Sequence, residues 1–369
     1  MTHPDTLLPT PLSPLYAEGV AEWMDVYGFA VPVTWGDPMA EYRAIREDVA
    51  VIEFSMLLKY DVTGPGAVDC VNRVFSRDVT RMKPGRIAYG VVVNGQGGML
   101  DDCTVFLHGS GRVMVMGANP ALGESLASAA PAGVTIRECR DDLAQISVQG
   151  PRSRQLLQSL TDADLSAAAL PYYAFRADVP VAGHAMQVGR LGFTGELGFE
   201  LLLPRPHVPS LWQGMVRNGR PHGLRPVGGA ALMMARMEAG LIMGGLDYDE
   251  SHSPWECRMG WAVDLGKPGF QGREALEKSR NHARTGIVSL VFPEGAEGLD
   301  GADLMLDQRP VGKISIAVPS PALGGRTLAF ARVEIAASAP GTTLRAGRHT
   351  GTIVETPVYD PAKSRVRMA

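Results

Sequence analysis

The sequence predicts an α+β protein whose last unit is a small β-barrel. Its 369 residues exceed what one hydrophobic core usually organises, so two or three packed units that share interfaces are expected. Apolar residues make up 45% of the chain and charged residues 20%, as is typical of a folded protein and not of a disordered one. From residue 284 to the end the pattern is strand-like, which predicts the barrel and places a boundary near Ala283.

The first predicted elements lead to a β-hairpin. Residues 58–63 alternate in polarity and stop at a Gly-Pro-Gly turn, as a strand does. Apolar residues at helical spacing over 67–75 predict a helix after that turn. Two strands, at 89–93 and 103–107, then form a hairpin, because the Asn-Gly pair between them is a strong turn signal.

The middle of the chain mixes strands and helices. A strand at 146–149 meets a Gly-Pro break and is followed by a helix over 153–160. Two more strands are predicted within 186–203, and a helix over 229–238 ends near Gly240, since glycine suits a left-handed cap.

The last helix precedes the barrel. It is predicted over 273–281, after which four strand-like segments follow one another. These segments are residues 286–292, 311–318, 327–335 and 351–354.

Composition and short motifs exclude several classes of function. A net charge of −4 without a run of like charges gives no footprint for nucleic acid. Residues 1–14 lack the basic and apolar segments of a signal peptide, and no stretch is long and apolar enough to span a bilayer. The four cysteines lie far apart and no histidine has metal-ligand spacing, so we expect a reduced cytoplasmic protein without a metal site.

The first candidate for chemistry is the aspartate pair Asp101-Asp102, which follows the hairpin turn and enters an apolar strand. Neighbouring side chains of a strand point to opposite faces, so one of the two is expected to face the interior or a cleft. By spacing alone, the favoured alternative is that both aspartates cap the turn.

The second candidate is Glu200, which interrupts a run of large apolar residues. A buried carboxylate needs hydrogen-bond donors. A structural arginine could supply them, and so could a ligand with two adjacent N–H donors, such as the amidine edge of a pterin. Glu196, set among glycines, is expected to face solvent.

The third candidate is Arg236, flanked by methionines on the helix over 229–238. Such an arginine either reaches the surface with its charged end or is held by a buried acid. Glu200 or Asp102 could be that acid, although spacing does not show it.

These constellations, in this order, resemble the folate-binding T-protein family of the glycine-cleavage aminomethyltransferase. The family also includes the folate domains of dimethylglycine and sarcosine dehydrogenases and folate-dependent demethylases. Further matching pieces, which extend over nearly the whole chain, are Ser13-Pro14-Leu15-Tyr16, Gln149-Gly150-Pro151, Asp249-Glu250, Met259-Gly260-Trp261, Phe270-Gln271-Gly272-Arg273-Glu274 and Ser320-Pro321-Ala322-Leu323-Gly324.

The resemblance implies both architecture and site residues. It implies a three-domain ring around tetrahydrofolate, with two intertwined α+β subdomains in residues 1–283 and a barrel in residues 284–369. Asp102 falls on the family's catalytic position. Glu200 falls on the glutamate that grips the pterin, Arg236 on an arginine that frames the folate, and Tyr89 near an aromatic position of the same channel. Phe193 stands where the family's pterin-side tyrosine is found, as in the sulfonium demethylase.

The function implied by this resemblance is a tetrahydrofolate-dependent transferase of methyl or aminomethyl groups, and specifically a demethylase of a small methylated donor. The alternatives are a glycine-cleavage-type aminomethyltransferase, a folate-binding subunit of a flavin oxidase, and a non-catalytic folate-binding regulator. The implied partners are a small methylated or aminomethylated substrate and a flavoprotein or carrier protein, with neither nucleic acid nor membrane.

Overall fold

The computed structural model describes residues 6–368, and its regular elements follow one another in short pieces. The strands are β1 (Leu8–Pro9), β2 (Glu22–Val26), β3 (Phe29–Thr34), β4 (Val49–Glu53), β5 (Leu58–Thr63), β6 (Arg86–Val93), β7 (Met99–Gly109), β8 (Arg112–Gly117), β9 (Thr135–Glu138), β10 (Leu143–Gln149), β11 (Phe175–Val181), β12 (His184–Gly189), β13 (Gly198–Pro204), β14 (Leu224–Pro226), β15 (Thr285–Glu294), β16 (Asp303–Leu306), β17 (Arg309–Ser320), β18 (Arg326–Glu334), β19 (Thr343–Ala346) and β20 (His349–Val354). The α-helices are α1 (Ser13–Tyr16), α2 (Pro38–Glu47), α3 (Ala67–Val74), α4 (Ala121–Ala129), α5 (Ser153–Gln158), α6 (Val208–Gly219), α7 (Gly229–Glu238) and α8 (Arg273–Ser279).

A six-stranded sheet with the order β11-β12-β13-β10-β4-β14 forms the first layer of the molecule. In β10, alanine, isoleucine and valine alternate with glutamine and serine, so the two kinds of side chain occupy opposite faces. The apolar face packs on α5 and α6 in one core, to which β13 adds Phe199 and Leu201. The other face carries Gln145, Ser147 and Glu200, since Ser147 and Glu200 are register partners.

A five-stranded sheet with the order β6-β7-β8-β5-β9 forms the second layer. Its apolar residues pack on α3 and α4 in a separate core. Strands β6 and β7 are the predicted hairpin, and they pair antiparallel with Asp102 opposite Val91.

The turn of this hairpin is closed by Asn94, whose side-chain oxygen accepts hydrogen bonds from the backbone N–H groups of Gln96 and Gly98, both at 2.9 Å. A Cβ atom at Gly98 would lie 1.8 Å from the carbonyl oxygen of Glu250. Only glycine therefore allows the segment around residue 250 to pass against the hairpin.

The C-terminal strands close into a barrel with the order β15-β18-β17-β16-β19-β20. It has its own apolar core. A further cluster joins α2 and α7 to the barrel residues Val318, Leu328 and Phe330. The N-terminal strands form a small sheet of order β1-β3-β2.

The predicted α+β architecture with a C-terminal barrel is confirmed, and the predicted hairpin and four barrel strands lie where expected. Two predicted helices were too long, because α5 ends at Gln158 and α8 at Ser279. The short strands β16 and β19 and the sheet β1-β3-β2 were not predicted. The division of the chain near residue 283 stays a prediction.

No helix within residues 6–368 has the length and apolar character needed to cross a bilayer. The expectation for residues 1–14 falls in part on residues 1–5, which lie outside the described residues.

Candidate functional site

A cavity of about 620 Å³ lies among the sheets and receives residues from many parts of the chain. These parts include the β2–β3 hairpin, residues 52–57, the β7–β8 region, the polar face of β10 and β13, the beginning of α7, and the loop 241–246 that follows α7. Its volume is that of a pocket for a small molecule or cofactor. We call it the central cavity.

Asp102 lines the central cavity and is held by two tyrosines. Tyr89 Oη donates to Asp102 Oδ2 at 2.7 Å, and Tyr248 Oη donates to Oδ1. The same Tyr248 oxygen accepts the backbone N–H of Asp102 at 2.9 Å. Both carboxylate oxygens are therefore oriented by neutral hydroxyl groups.

The environment of Asp102 places its ionisation close to neutral pH. Burial raises the pKa of Asp102 to about 6, while the hydrogen bonds from Tyr248 and Tyr89 act in the opposite direction. Burial raises the pKa of both tyrosines well above the usual value, so their hydroxyls stay protonated donors. At neutral pH the carboxylate is mainly ionised and can still accept a proton, as a general base must.

Asp101 points away from Asp102 and is also buried. Its Oδ2 accepts hydrogen bonds from the backbone N–H groups of Ala118 and Asn119, at 2.8 and 3.0 Å. Burial and the nearby charge of Asp102 raise the pKa of Asp101 to about 8. The alternative that both aspartates cap the hairpin turn is wrong, because Asn94 closes that turn.

Glu200 lines the same cavity from the polar face of the six-stranded sheet. Gln145 Nε2 donates to Glu200 Oε2 at 2.9 Å. Burial raises the pKa of Glu200 to about 7, opposed by this hydrogen bond and by the positive charge of Lys59. Within residues 6–368 no arginine forms an ion pair or hydrogen bond with Glu200, so the structural-arginine alternative does not hold there.

Lys59 lies behind the cavity wall, fully buried. Its ammonium group donates to the carbonyl oxygens of Phe54, Ser55 and Leu57 at 3.4, 3.2 and 2.8 Å. Burial lowers the pKa of Lys59 to about 7. Because Phe54 and Leu57 line the cavity, Lys59 holds that part of the wall in place.

Tyr89 and Phe193 also line the central cavity. Phe193 lies in the loop between β12 and β13. The ring of Tyr89 lies 6.0 Å from that of Trp261, which is 61% exposed. Four of the five predicted site residues, Asp102, Glu200, Tyr89 and Phe193, are thus brought together.

Arg236 is the predicted site residue that does not line the cavity. It is 0% exposed and pairs with Asp247, so of the two alternatives the buried acid holds, and that acid is Asp247 and not Glu200 or Asp102. Arg236 Nη1 also donates to the carbonyl oxygen of Leu241 at 3.1 Å, and Asp247 Oδ2 accepts the N–H of Met243 at 2.8 Å. Arg236 therefore positions the loop 241–246 from behind.

The expectation that Glu196 faces solvent is also wrong. Glu196 is buried, and its carboxylate accepts a hydrogen bond from Tyr359. Arg46 Nη1 lies 3.4 Å from the same oxygen. The glycines around Glu196 suggested an exposed turn, but the C-terminal segment with Tyr359 covers this loop between β12 and β13.

The charge of the cavity wall is one-sided. Five lining residues carry carboxyl groups, and the lining residues that the structure describes include no lysine, arginine or histidine. The carboxyl residues are Asp25, Glu53, Asp101, Asp102 and Glu200. Such a wall favours a ligand that brings N–H donors or positive charge.

Sequence reasoning missed two residues of the site. Tyr248 lies 146 positions from Asp102, and nothing local marks it as a partner. Gln145 could have been found, because the alternation along β10 places it on the same face as Ser147, opposite Glu200. Among the described residues, no group of three or more His, Cys, Asp or Glu could hold a metal ion.

Comparison with known proteins places this geometry in a family. Residues 13–267 match the model of the GCVT N-terminal domain, and this match covers well over half of the chain. The chain belongs to the GCVT family. The predicted family is confirmed.

Relatives within the GCVT family have several names. An aminomethyltransferase of Streptomyces avermitilis is 33% identical over 365 residues, covering 95% of this chain and 97% of that protein. An aminomethyltransferase of Caldanaerobacter subterraneus is 29% identical and covers 86% of each. The trimethylamine-oxide aldolase of Ruegeria pomeroyi is 33% identical over 89% of this chain, but the chain spans only 44% of that protein's length.

A solved structure shows the same fold. It is the glycine cleavage system aminomethyltransferase T from Bartonella henselae, with a TM-score of 0.86, 23% identity and coverage of 96% of this chain and 98% of that one. The predicted fold class of the T-protein type is confirmed by this match. Together with the aminomethyltransferase relatives, family membership supports the prediction that the chain is a transferase of one-carbon groups.

Proposed function

We propose that this GCVT-family protein binds tetrahydrofolate and transfers a one-carbon unit to it from a small methylated donor, acting as a demethylase. The observation that carries the proposal is the pairing of two carboxylates in one cavity. Asp102 is oriented by two tyrosine hydroxyls, and Glu200 has a neutral amide as its hydrogen-bond donor. The first suits proton transfer and the second suits recognition of an N–H edge.

The cavity residues fit a reduced pterin. The oxygen of the Gln145 side chain is buried without a hydrogen-bond partner among the described residues, and it lies beside a carboxylate that needs donors. A ring edge rich in N–H groups would satisfy both. In this proposal Glu200 holds the pterin, Phe193 and Tyr89 pack along the folate, and Arg236 frames the site through the loop that it positions.

Asp102 would act as the base of the reaction. When bound, tetrahydrofolate supplies the nitrogen that accepts the carbon. The Asp102 carboxylate takes up the proton lost from that nitrogen, while Tyr89 and Tyr248 keep its oxygens in position. Fixing the reacting groups in a near-attack geometry can be worth about 7 to 11 kcal/mol.

The charge of the cavity wall supports a donor whose carbon sits on a positively charged leaving group. A sulfonium, a quaternary nitrogen or a protonated aminomethyl nitrogen has this property, whereas an aryl ether does not. Asp102, with a pKa of about 6, is ionised at neutral pH, and the described lining residues include no cationic side chain, which favours the charged donors.

The product of the reaction tests the proposal. The purified protein is incubated with tetrahydrofolate and a panel of methylated donors, and 5-methyl- and 5,10-methylene-tetrahydrofolate are separated by mass. Formation of 5-methyl-tetrahydrofolate is the expected result. No folate product with any donor, although folate binds, would leave the non-catalytic regulator in its place.

A glycine-cleavage-type aminomethyltransferase is the second candidate, because relatives that match over most of their length are named aminomethyltransferases. It predicts 5,10-methylene-tetrahydrofolate and a carrier protein that presents the aminomethyl group. A folate-binding subunit of a flavin oxidase predicts the same product and co-purification with a yellow flavoprotein. A cytoplasmic location belongs to the proposal in each case.

A further inference from the structure

Gln145 and Glu200 form a side-chain pair on the cavity face of the six-stranded sheet. The side chain of Gln145 is 3% exposed and lines the central cavity. Its nitrogen donates to Glu200 Oε2 at 2.9 Å, which fixes the orientation of the amide, because an amide oxygen would be repelled by the carboxylate. The amide oxygen is consequently turned away from Glu200.

The oxygen of this amide lacks a donor. Among residues 6–368, Gln145 Oε1 is buried without a hydrogen-bond partner. A buried acceptor without a donor is unfavourable, because it has lost its hydrogen bonds to water. A buried polar atom without a partner calls for an explanation, and at the wall of a cavity a bound ligand is one.

We propose that Gln145 recognises the ring edge of bound folate together with Glu200, an inference that rests on the function proposed above. The pair has three acceptor oxygens, two from Glu200 and one from Gln145. A 2-amino-4-oxo pteridine presents three N–H bonds along one edge, one from N3 and two from the 2-amino group. Glu200 accepts N3–H and one amino hydrogen, and Gln145 accepts the other.

The strand pattern explains why these two residues can act on one edge. Gln145 and Ser147 are two positions apart on β10, and Ser147 is the register partner of Glu200 on β13. Gln145 is thus the diagonal neighbour of Glu200 on the same face. Two hydrogen bonds with the segment that follows β4 hold the backbone of Gln145, since Phe54 N–H donates to Gln145 O at 2.9 Å and Gln145 N–H donates to Ser55 Oγ at 3.1 Å.

The first measurement is the dissociation constant of tetrahydrofolate for the Gln145→Met variant, by anaerobic calorimetry. Methionine keeps the length of the side chain and removes both polar atoms. We expect binding about three- to tenfold weaker than wild type, the range for one lost hydrogen bond. Gln145→Leu serves the same comparison if Gln145→Met does not fold by circular dichroism.

Gln187→Met is the matched control. Gln187 lies on the neighbouring strand β12, as the register partner of Leu202, is 8% exposed and does not line the cavity. The same chemical change at this position should leave tetrahydrofolate binding unchanged. Equal weakening by both variants would mean a general effect on the sheet and would overturn the inference.

A ligand that lacks the 2-amino group tests whether Gln145 contacts this group directly or only donates a hydrogen bond to Glu200. The 2-desamino-2-methyl analogue of tetrahydrofolate is measured with wild type and with Gln145→Met. If Gln145 contacts the amino group, the analogue loses affinity by a smaller factor in the variant than in wild type. If Gln145 acts only by donating to Glu200, the two factors are equal, and the inference fails.

The outcomes also separate this inference from the proposed function. A wild-type protein that does not bind tetrahydrofolate at all contradicts both. A wild-type protein that binds tetrahydrofolate, with a Gln145→Met variant that binds it equally well, contradicts the role of Gln145 alone.

Discussion

At Asp102, two tyrosine hydroxyls, one from the paired strand β6 and one from Tyr248 further along the chain, stand where a buried carboxylate often has a cation. A cation would hold the pKa of the carboxyl low, whereas burial against neutral donors raises it to about 6. The residue is therefore both ionised at neutral pH and basic enough to take a proton. Proton transfer, more than charge pairing, explains this arrangement.

Replacement of this carboxyl group tests its role. Asp102→Asn preserves the shape of the side chain and removes the base, so turnover should fall at least about a hundredfold, the low end for general acid–base catalysis. Tetrahydrofolate binding, measured by calorimetry, should persist. Near-normal turnover would remove Asp102 from the mechanism.

If Asp102 is the base, Tyr248 should influence the pH range of activity. Tyr248→Phe removes a hydrogen bond that lowers the pKa of Asp102, so this pKa should rise and the acid limb of the kcat profile, near pH 6 in wild type, should move to higher pH. Tyr89→Phe should shift it in the same direction. The control is Tyr60→Phe, because Tyr60 is buried and does not line the cavity. This variant should leave the acid limb of the kcat profile unchanged.

The raised pKa of Glu200 leads us to expect that folate binding depends on pH. Its pKa of about 7 in the folded protein is above the usual value, so its contribution to stability is fully present at low pH and is lost as pH rises through about 7. Binding of N–H donors requires the opposite, ionised form. The dissociation constant of tetrahydrofolate should therefore fall as pH rises from 6 to 8, with release of a proton.

Calorimetry in two buffers of different ionisation enthalpy measures this proton directly. Glu200→Ala should abolish or greatly weaken binding at every pH. An affinity independent of pH between 6 and 8 would show that Glu200 does not change its ionisation on binding.

Single site residues could be predicted from the sequence where the pattern of their immediate neighbours marks them. Asp102 and Glu200 were recognisable because a charge in an apolar strand needs an explanation within the strand itself. Tyr248 was not, since its importance depends on a contact across 146 positions. The expected carboxylate partners of Arg236 were wrong for a related reason: Asp247 lies only 11 residues away, but in a loop whose path the sequence does not indicate.

At the scale of elements, the loop 241–246 depends on the buried pair Arg236–Asp247. The pair is fully buried, and it anchors the backbone at Leu241 and Met243. The loop supplies one wall of the central cavity. Its stability and the shape of the cavity are therefore linked.

Breaking this pair should be costly. Arg236→Met leaves the Asp247 carboxylate buried without its partner, and the free energy of unfolding should fall by about 3–5 kcal/mol, measured by urea denaturation. Arg309→Met, which breaks the exposed pair with Glu334, should cost no more than about 1 kcal/mol. Similar small losses in both variants would show that Arg236 does not hold the loop.

The elements themselves were predicted where a short segment carries its own pattern. The β6–β7 hairpin follows from its Asn-Gly turn and the alternation on both sides, and α7 from apolar spacing and the glycine after it. The strands β16 and β19 have four residues each, too few for a period to be recognised. They exist because the barrel around them supplies partners on both sides.

At the scale of the whole molecule, Glu238 ties the barrel to the rest of the chain. Ser320 Oγ and the N–H of Ala322 donate to Glu238 Oε1 at 2.7 and 3.1 Å. Tyr42 and Arg46 donate to Oε2 at 2.6 and 2.9 Å. Sequence predicted the barrel, but not this connection, because its members lie on three separate segments.

The acidic cavity wall predicts a preference among small ligands. Tetramethylammonium should inhibit one-carbon transfer, and tert-butanol, a neutral molecule of similar shape, should not at the same concentration. Steady-state assays with sodium chloride at matched ionic strength provide the control. Equal inhibition by both molecules would show that charge does not govern recognition in the cavity.

The hydrogen bond between Tyr248 and Asp102 forms only when two distant parts of the chain have folded against each other, so the proposed activity depends on complete folding. Asp102 lies on the β6–β7 hairpin. Tyr248 belongs to the segment around residue 250, which fits against that hairpin only because residue 98 is a glycine. A molecule with that segment displaced would keep a carboxyl group with one oxygen no longer oriented. Partly folded copies should therefore be inert and should not release half-reacted product.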